Sequence, residues 1–403
     1  MRSPRRTLTV VASLALLITA CSDDGSSSDD TSSDDVTTSS SPVDTPATSE
    51  PTTTAAPDPA VDAQAYAEAG PHPVGVTNVR LADGTPVEVW YPAVPGSDGT
   101  DSYDMRDHIP DAVRALLTTD LPSGLTYPAT RDAAVADGRF PVVLFSHGFS
   151  GVRMQSTFLT AHLASWGMIV VSPEHPSRNL SAVLSLTLNR DPLASVGDLT
   201  GALDLVLAAD ADDASPFHQH VDTALVAAVG HSAGGGTVLR AAEADARITG
   251  YVSLASGALG SDDTAMPDVP SFFIAGSLDA IVGVDDTTRP AYEAAPSPSL
   301  LWVIEGAGHN AFDDFCTLGG GTGIIGLADA SGLGALLDSF DGIRALGEDG
   351  CLPPAIDVEL TFPIITHSVT SWLRAHFALD TQAVGIGPEV AGQYATPVLI
   401  EQK

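Results

Sequence analysis

The sequence predicts an α/β fold with a mostly parallel central sheet and helices on both faces. Two observations carry that expectation. Six short apolar runs, PVVLFSH, MIVVSPE, ALVAAVG, YVSLAS, SFFIAG and LLWVIEG, follow one another between residues 141 and 306. Each is apolar at consecutive positions, as in strands buried on both faces, and none shows the alternation of a half-exposed strand. Helical spacing follows most of these runs. In SVGDLTGALDLVLAAD the apolar residues Val196, Leu199, Leu203, Val206 and Leu207 recur at helical intervals. Buried strands alternating with helices build a parallel sheet covered on both sides. The other elements fit around this centre. GVTNVRL and VEVWYPA, separated by ADGT, read as an N-terminal hairpin. The acidic stretch from Asp98 to Asp137 reads as loop with one short helix near Asp111 to Leu117. A helix is expected around Gln155 to Trp166, and FPIITHSVTSWLRAHFA reads as a final amphipathic helix.

The 403 residues do not all belong to this fold. MRSPRR followed by LTVVASLALLI has the positive and apolar regions of a signal peptide, and the apolar run is too short for a stable membrane span. The following ITAC resembles the cleavage box of bacterial lipoproteins. That resemblance implies a signal peptide over residues 1–20, cleavage before Cys21, and lipid on the new N-terminal residue, which would anchor the chain to a membrane. Residues 21–60 are Ser, Thr, Asp and Pro with almost no large apolar side chain. They cannot bury enough surface to offset their ordering entropy, so a disordered tether is expected. Residues 61–403 form the globular domain. The formal net charge of −34 argues against nucleic acid as a partner, because binding phosphates needs clustered Lys and Arg. With Cys21 assigned to lipid, Cys316 and Cys351 remain, and outside the cytoplasm a disulfide between them is expected. No CxxC pair signals a metal site, and His218 and His220 in FHQH read as a solvated loop.

The chemistry centres on AAVGHSAGGG. Gly230, Ser232 and Gly234 give G-x-S-x-G directly after the strand ALVAAVG and directly before the helix candidate AGGGTVLRAAEA. That is the strand–turn–helix context of a nucleophile elbow, with glycines where backbones approach too closely for a Cβ. A phosphate loop is the rival reading, but its lysine is absent. A serine hydroxyl needs a base. His309 in EGAGHNAF follows the last buried strand, whereas His231 sits on the wrong side of the turn and His147 belongs to another loop. The acid that orients the imidazole should lie between them in the chain. Asp279 in IAGSLDAIVG suits the role by its place after SFFIAG; Asp285 and Asp286 compete a few residues later, and Asp262 and Asp263 are more distant alternatives. For the two backbone donors of an oxyanion hole, Ala233 follows the nucleophile and Phe149 lies in HGFSG after PVVLFSH.

RFPVVLFSHGFSGVR, LASWGMIVVSPEHPSRN, VAAVGHSAGG and GAGHNAFDDF, taken in order, resemble the platelet-activating factor acetylhydrolases of the α/β-hydrolase superfamily. The resemblance implies an α/β-hydrolase fold with Ser232 as nucleophile, His309 as base, and Phe149 and Ala233 as oxyanion donors. It departs at the acid. The secreted animal enzymes carry theirs after the strand that here ends YVSLASGALG, where no aspartate matches. Asp279 and GHSAGGGTVLRAA instead resemble cutinase-like polyesterases and dienelactone hydrolase relatives.

These readings lead to an extracytoplasmic, lipid-anchored or secreted serine esterase. It would work as a monomer without metal or organic cofactor, acting on short-acyl lipid esters. A cutinase-like polyester hydrolase and a non-catalytic binding protein on a hydrolase scaffold are the alternatives. The Gly-, Leu- and Ile-rich segment 317–350 is either a flap over the site or a surface insertion.

Overall fold

The computed structural model describes residues 62–118, 121, 123–257 and 266–403. The segments expected to be signal peptide and tether, Cys21 among them, and Asp262 and Asp263 lie outside the described residues.

Ten strands form one sheet and two form a small second sheet. In chain order the strands are β1 (Val74–Arg80), β2 (Pro86–Pro92), β3 (Thr100–Asp104), β4 (Gly124–Pro128), β5 (Thr130–Arg131), β6 (Phe140–Ser146), β7 (Ile169–Pro173), β8 (Val221–His231), β9 (Tyr251–Leu254), β10 (Ser271–Gly276), β11 (Ser299–Ile304) and β12 (Val398–Gln402). The large sheet runs β12-β11-β10-β9-β8-β6-β7-β2-β1-β5. From β7 to β11 all neighbours are parallel, while the β1–β2 hairpin and β12 join antiparallel.

The helices are α1 (Asp111–Arg114), α2 (Thr157–Ser165), α3 (Leu180–Ser185), α4 (Pro192–Ala211), α5 (Ala233–Ala244), α6 (Arg289–Ala294), α7 (Leu318–Gly321), α8 (Gly323–Ala330), α9 (Gly334–Leu337), α10 (Ile343–Glu348) and α11 (Phe362–His376). The strand period of two divides the core. In β6, Val143 and Phe145 pack with Leu159 and Leu163 of α2 and Ile365 and Val369 of α11. Val142 and Leu144 face the other way, toward Leu199 and Leu203 of α4 and Val238 and Leu239 of α5. An antiparallel lead-in hairpin, a parallel centre and helices on both faces constitute an α/β-hydrolase fold.

Two elements differ from the sequence expectation. Within the stretch expected to be loop, β3 and β4 pair from Thr100 opposite Pro128 to Asp104 opposite Gly124. Each buries a single large residue, Tyr103 or Tyr127, so no period-2 pattern could develop. The second is β12, a five-residue strand at the sheet edge that buries only Val398 and Ile400. Its place is set by pairing with β11, a contact almost 100 residues distant in the chain.

Candidate active site

The parallel strands end along one edge, and the loops there carry the chemistry-bearing residues. Between β8 and α5 the chain turns at Ser232, with φ of 56° and ψ of −124°, a conformation costly for a residue with a side chain. The surroundings hold it in place. The Ser232 N–H donates to the Leu254 carbonyl at 2.9 Å and its carbonyl accepts from Gly235 N–H at 2.8 Å. A Cβ on Gly230 would stand 2.2 Å from the Gly234 oxygen, and one on Gly234 would stand 1.9 Å from the Ser146 oxygen. Only glycine lets β8, α5 and the end of β6 meet this closely.

His309 follows β11 in a short turn and is 1% exposed. Its Nε2 lies 2.8 Å from Ser232 Oγ, and its Nδ1 lies 2.8 Å from Asp279 Oδ2. Asp279 follows β10, and its second oxygen accepts from the N–H groups of Ile281 at 2.9 Å and Val282 at 2.7 Å. One carboxylate oxygen is thus fixed by backbone and the other is left for the imidazole. In this arrangement Nδ1–H donates to Asp279, and Nε2 is free to accept the serine proton. Asp285 and Asp286 are exposed, and Asp285 pairs with Arg289 at 3.1 Å, so neither meets His309.

Phe149 and Ala233 flank Ser232. In the loop after β6, Gly148 N–H donates to Gln155 Oε1 at 3.0 Å and Ser150 N–H to the Arg178 carbonyl at 2.9 Å. Among the described residues the N–H groups of Phe149 and Ala233 donate to no protein acceptor. Both are donors left without a protein acceptor, one at the start of α5 and one in the facing loop, as binding a developing oxyanion requires.

Two residues that sequence reasoning passed over join the loops. His231 does not serve Ser232. Its Nδ1 accepts from Gln155 Nε2 at 2.7 Å, and its Nε2–H donates to the His309 carbonyl at 3.0 Å. Burial holds its pKa well below the usual histidine value, so it is a neutral strut between two loops. Asp349, from the end of the 317–350 segment, accepts His309 N–H at 2.6 Å and Ala280 N–H at 3.0 Å. It clamps the loop bearing His309 to the loop bearing Asp279. The adjacency of His231 to Ser232 was a visible signal, whereas nothing in the sequence marks Asp349 among so many acids.

The segment 317–350 packs over the site. Cys316 and Cys351 form a disulfide with Cα atoms 4.9 Å apart, closing its base. Ile324, Ile325, Leu337 and Ile343 from this segment, with Leu180 and Leu184 of α3, line a largely apolar cavity that also contacts Ser232, His309 and Phe149. Among the described residues no group of three His, Cys, Asp or Glu is placed to hold a metal.

Comparison with known proteins adds a family to this geometry. The sequence model of PET hydrolase-like proteins matches residues 122–324, just over half of the chain, and that span contains Phe149, Ser232, Asp279 and His309. The chain belongs to the PET hydrolase-like family. A cutinase, est2 of Thermobifida alba, is 26% identical over 174 residues, 43% of this chain and 53% of its own. A bis(hydroxyethyl) terephthalate hydrolase of Streptomyces coelicolor is 26% identical over 196 residues, 48% and 56% of the two chains. The platelet-activating factor acetylhydrolase of Gallus gallus is 22% identical over 391 aligned positions, 80% of this chain and 87% of its own. The match therefore spans about half the length of the cutinase and the terephthalate hydrolase, and most of the acetylhydrolase. The PET hydrolase-like family match covers the parallel strands β6 to β11 and the edge carrying the site, but not the β1–β2 hairpin, α11, β12 or most of the segment 317–350.

Proposed function

We propose that the protein is a serine carboxylic-ester hydrolase. Ser232 Oγ attacks the ester carbonyl carbon while its proton passes to His309 Nε2, and Asp279 stabilises the imidazolium. The carbonyl electron pair moves onto oxygen, where the N–H groups of Phe149 and Ala233 receive it. Collapse of the tetrahedral species expels the alcohol, which takes the proton from His309. Water then enters by the same route and releases the acid. The observation that carries this reading is the row Ser232 Oγ, His309 and Asp279, with both links at 2.8 Å at the carboxyl ends of three parallel strands.

For the substrate, we propose a short-acyl lipid ester. An apolar chamber roofed over Ser232 suits a discrete acyl chain that enters end-on and loses its water on entry. The relatives and the family match favour a second reading, a polyester hydrolase. The N-terminal sequence supports lipid anchoring through Cys21 outside the cytoplasm, consistent with the disulfide.

A fluorophosphonate probe tests the chemistry: wild type is labelled and Ser232→Ala is not. An unlabelled, folded wild type would favour a silent binding scaffold. Turnover of an oxidised phospholipid against a polyester film separates the two substrates. Mass spectrometry of the membrane-extracted N-terminus tests the anchor.

A further inference from the structure

Behind the oxyanion loop stands Arg178, in the segment between β7 and α3, with no role in the chemistry described above. Its guanidinium does not face the cavity. Nη2 donates to the His147 carbonyl at 2.6 Å and to Ser146 Oγ at 3.0 Å, and Nη1 donates to Thr237 Oγ1 at 2.7 Å. Its own carbonyl accepts Ser150 N–H at 2.9 Å. Phe149 is thus bracketed, with Arg178 bonded to the loop on both sides of it. Thr237 Oγ1 donates in turn to the Ala233 carbonyl at 3.0 Å. The side chain is thus linked to Ala233 through Thr237, and to the loop bearing Phe149 through the His147 carbonyl two residues before it.

The neighbours of Arg178 fix it further. Because Ser146 Oγ accepts from the guanidinium, its hydroxyl proton points to His175 Nε2 at 2.8 Å, and His175 Nδ1–H donates to Asp198 Oδ2 at 3.1 Å. This second Ser–His–Asp row has a fully buried serine and histidine and ends on Arg178 instead of a cavity, so it is a prop, not a second active site. Arg178 makes no ion pair among the described residues, and its Nε is enclosed without a partner. Its fork is therefore committed to oxygens of the loop and of α5. A planar guanidinium holds several acceptors in fixed directions, which an ammonium cannot do.

We propose that Arg178 is the positioning residue of the oxyanion hole, holding the Phe149 and Ala233 N–H groups in one convergent geometry. This rests on the serine-esterase reading. Loss of Arg178 should act in the transition state, because only there does the substrate oxygen carry the charge that these donors receive.

The test uses Arg178→Lys, Arg178→Met and, should Met fail to fold, Thr237→Val, which cuts only the link to α5. Folding is checked by near-UV circular dichroism. The readouts are kcat and KM for p-nitrophenyl butyrate and the affinity for a trifluoromethyl ketone. Ser232 Oγ adds to that ketone's carbonyl, its proton passes to His309, and the carbonyl oxygen becomes an oxyanion. The expected result is a fall in kcat of about 10–100-fold with KM within twofold, and a parallel fall in trifluoromethyl ketone affinity. Binding of the matching methyl ketone, which does not form the adduct, stays unchanged, and Lys rescues part of the loss. Folded variants with wild-type kcat would overturn the proposal, as would a kcat loss without the parallel loss in ketone affinity. Fluorophosphonate labelling keeps the two readings apart. An unlabelled wild type removes the esterase itself, whereas a labelled wild type with variants labelled equally fast removes only the role of Arg178.

Discussion

Ser232 occupies a backbone conformation that a side chain ordinarily avoids, and hydrogen bonds to Leu254 and Gly235 hold it there. Its hydroxyl meets His309 from the loop after β11, which in turn meets Asp279 from the loop after β10. Asp279 shows how placement decides a role in a chain with 51 acidic residues. Its Oδ1 is fixed by two backbone donors and its Oδ2 meets the imidazole, whereas Asp285 is exposed beside Arg289. Asp279→Asn should lower kcat by about 10²–10⁴-fold, because an amide in that place favours the wrong imidazole tautomer. Asp285→Asn should remain within about twofold of wild type. Hydrolysis of a short-chain nitrophenyl ester measures both, and equal effects would remove Asp279 from the role. Asp349 carries a separate expectation. Asp349→Asn keeps one acceptor oxygen and loses the other, so one of the two loops is released and kcat falls with the protein still folded.

At the scale of elements, the segment 317–350 both lines the cavity and braces the loops of the site. Its helices α8 to α10 supply much of the apolar wall, and its last residues place Asp349 two positions before Cys351. Ile325 is buried against the cavity, so Ile325→Trp should shorten the preferred acyl chain. A nitrophenyl ester series from two to twelve carbons reads this as a KM rise confined to the longer chains. The disulfide closes a loop across a sequence separation of 35 residues. Replacing both cysteines by serine should cost about 3–4 kcal/mol by the chain-entropy argument, visible as a lower Tm. Activity should fall as well, since Asp349 loses its anchor. A variant with lowered Tm but wild-type kcat would separate Asp349 from the disulfide.

Across the whole molecule, buried ionisable groups set the pH response. Burial lowers the pKa of eight histidines, His72, His108, His147, His162, His175, His231, His367 and His376. His108 and His162 fall to about 4. Unfolded, these imidazoles take up protons below about pH 6.5, so the stability they hold at neutral pH is lost as pH falls. Burial raises four carboxyls, Glu174, Asp198 to about 7, Asp313, and Asp314 to about 6. These act oppositely: the folded state keeps their protons above pH 4, so stability is lost as pH rises, through about 7 for Asp198 and about 6 for Asp314. Eight groups oppose four, so Tm should fall between pH 7 and pH 5. Calorimetry across that range checks the sign, and a Tm that rises on acidification contradicts it.

The order of buried strands, the glycines around Ser232 and the positions of His309 and Asp279 after strands were all legible in the sequence. Each is a local consequence of burial on two faces or of a turn that no Cβ can enter. The pairing of β3 with β4, the edge strand β12, the roof over the cavity, and the parts taken by His231, Asp349 and Arg178 were decided by the tertiary structure. These depend on which distant segments meet, and one aspartate or arginine looks like another until a specific backbone N–H or carbonyl stands within hydrogen-bond reach of it.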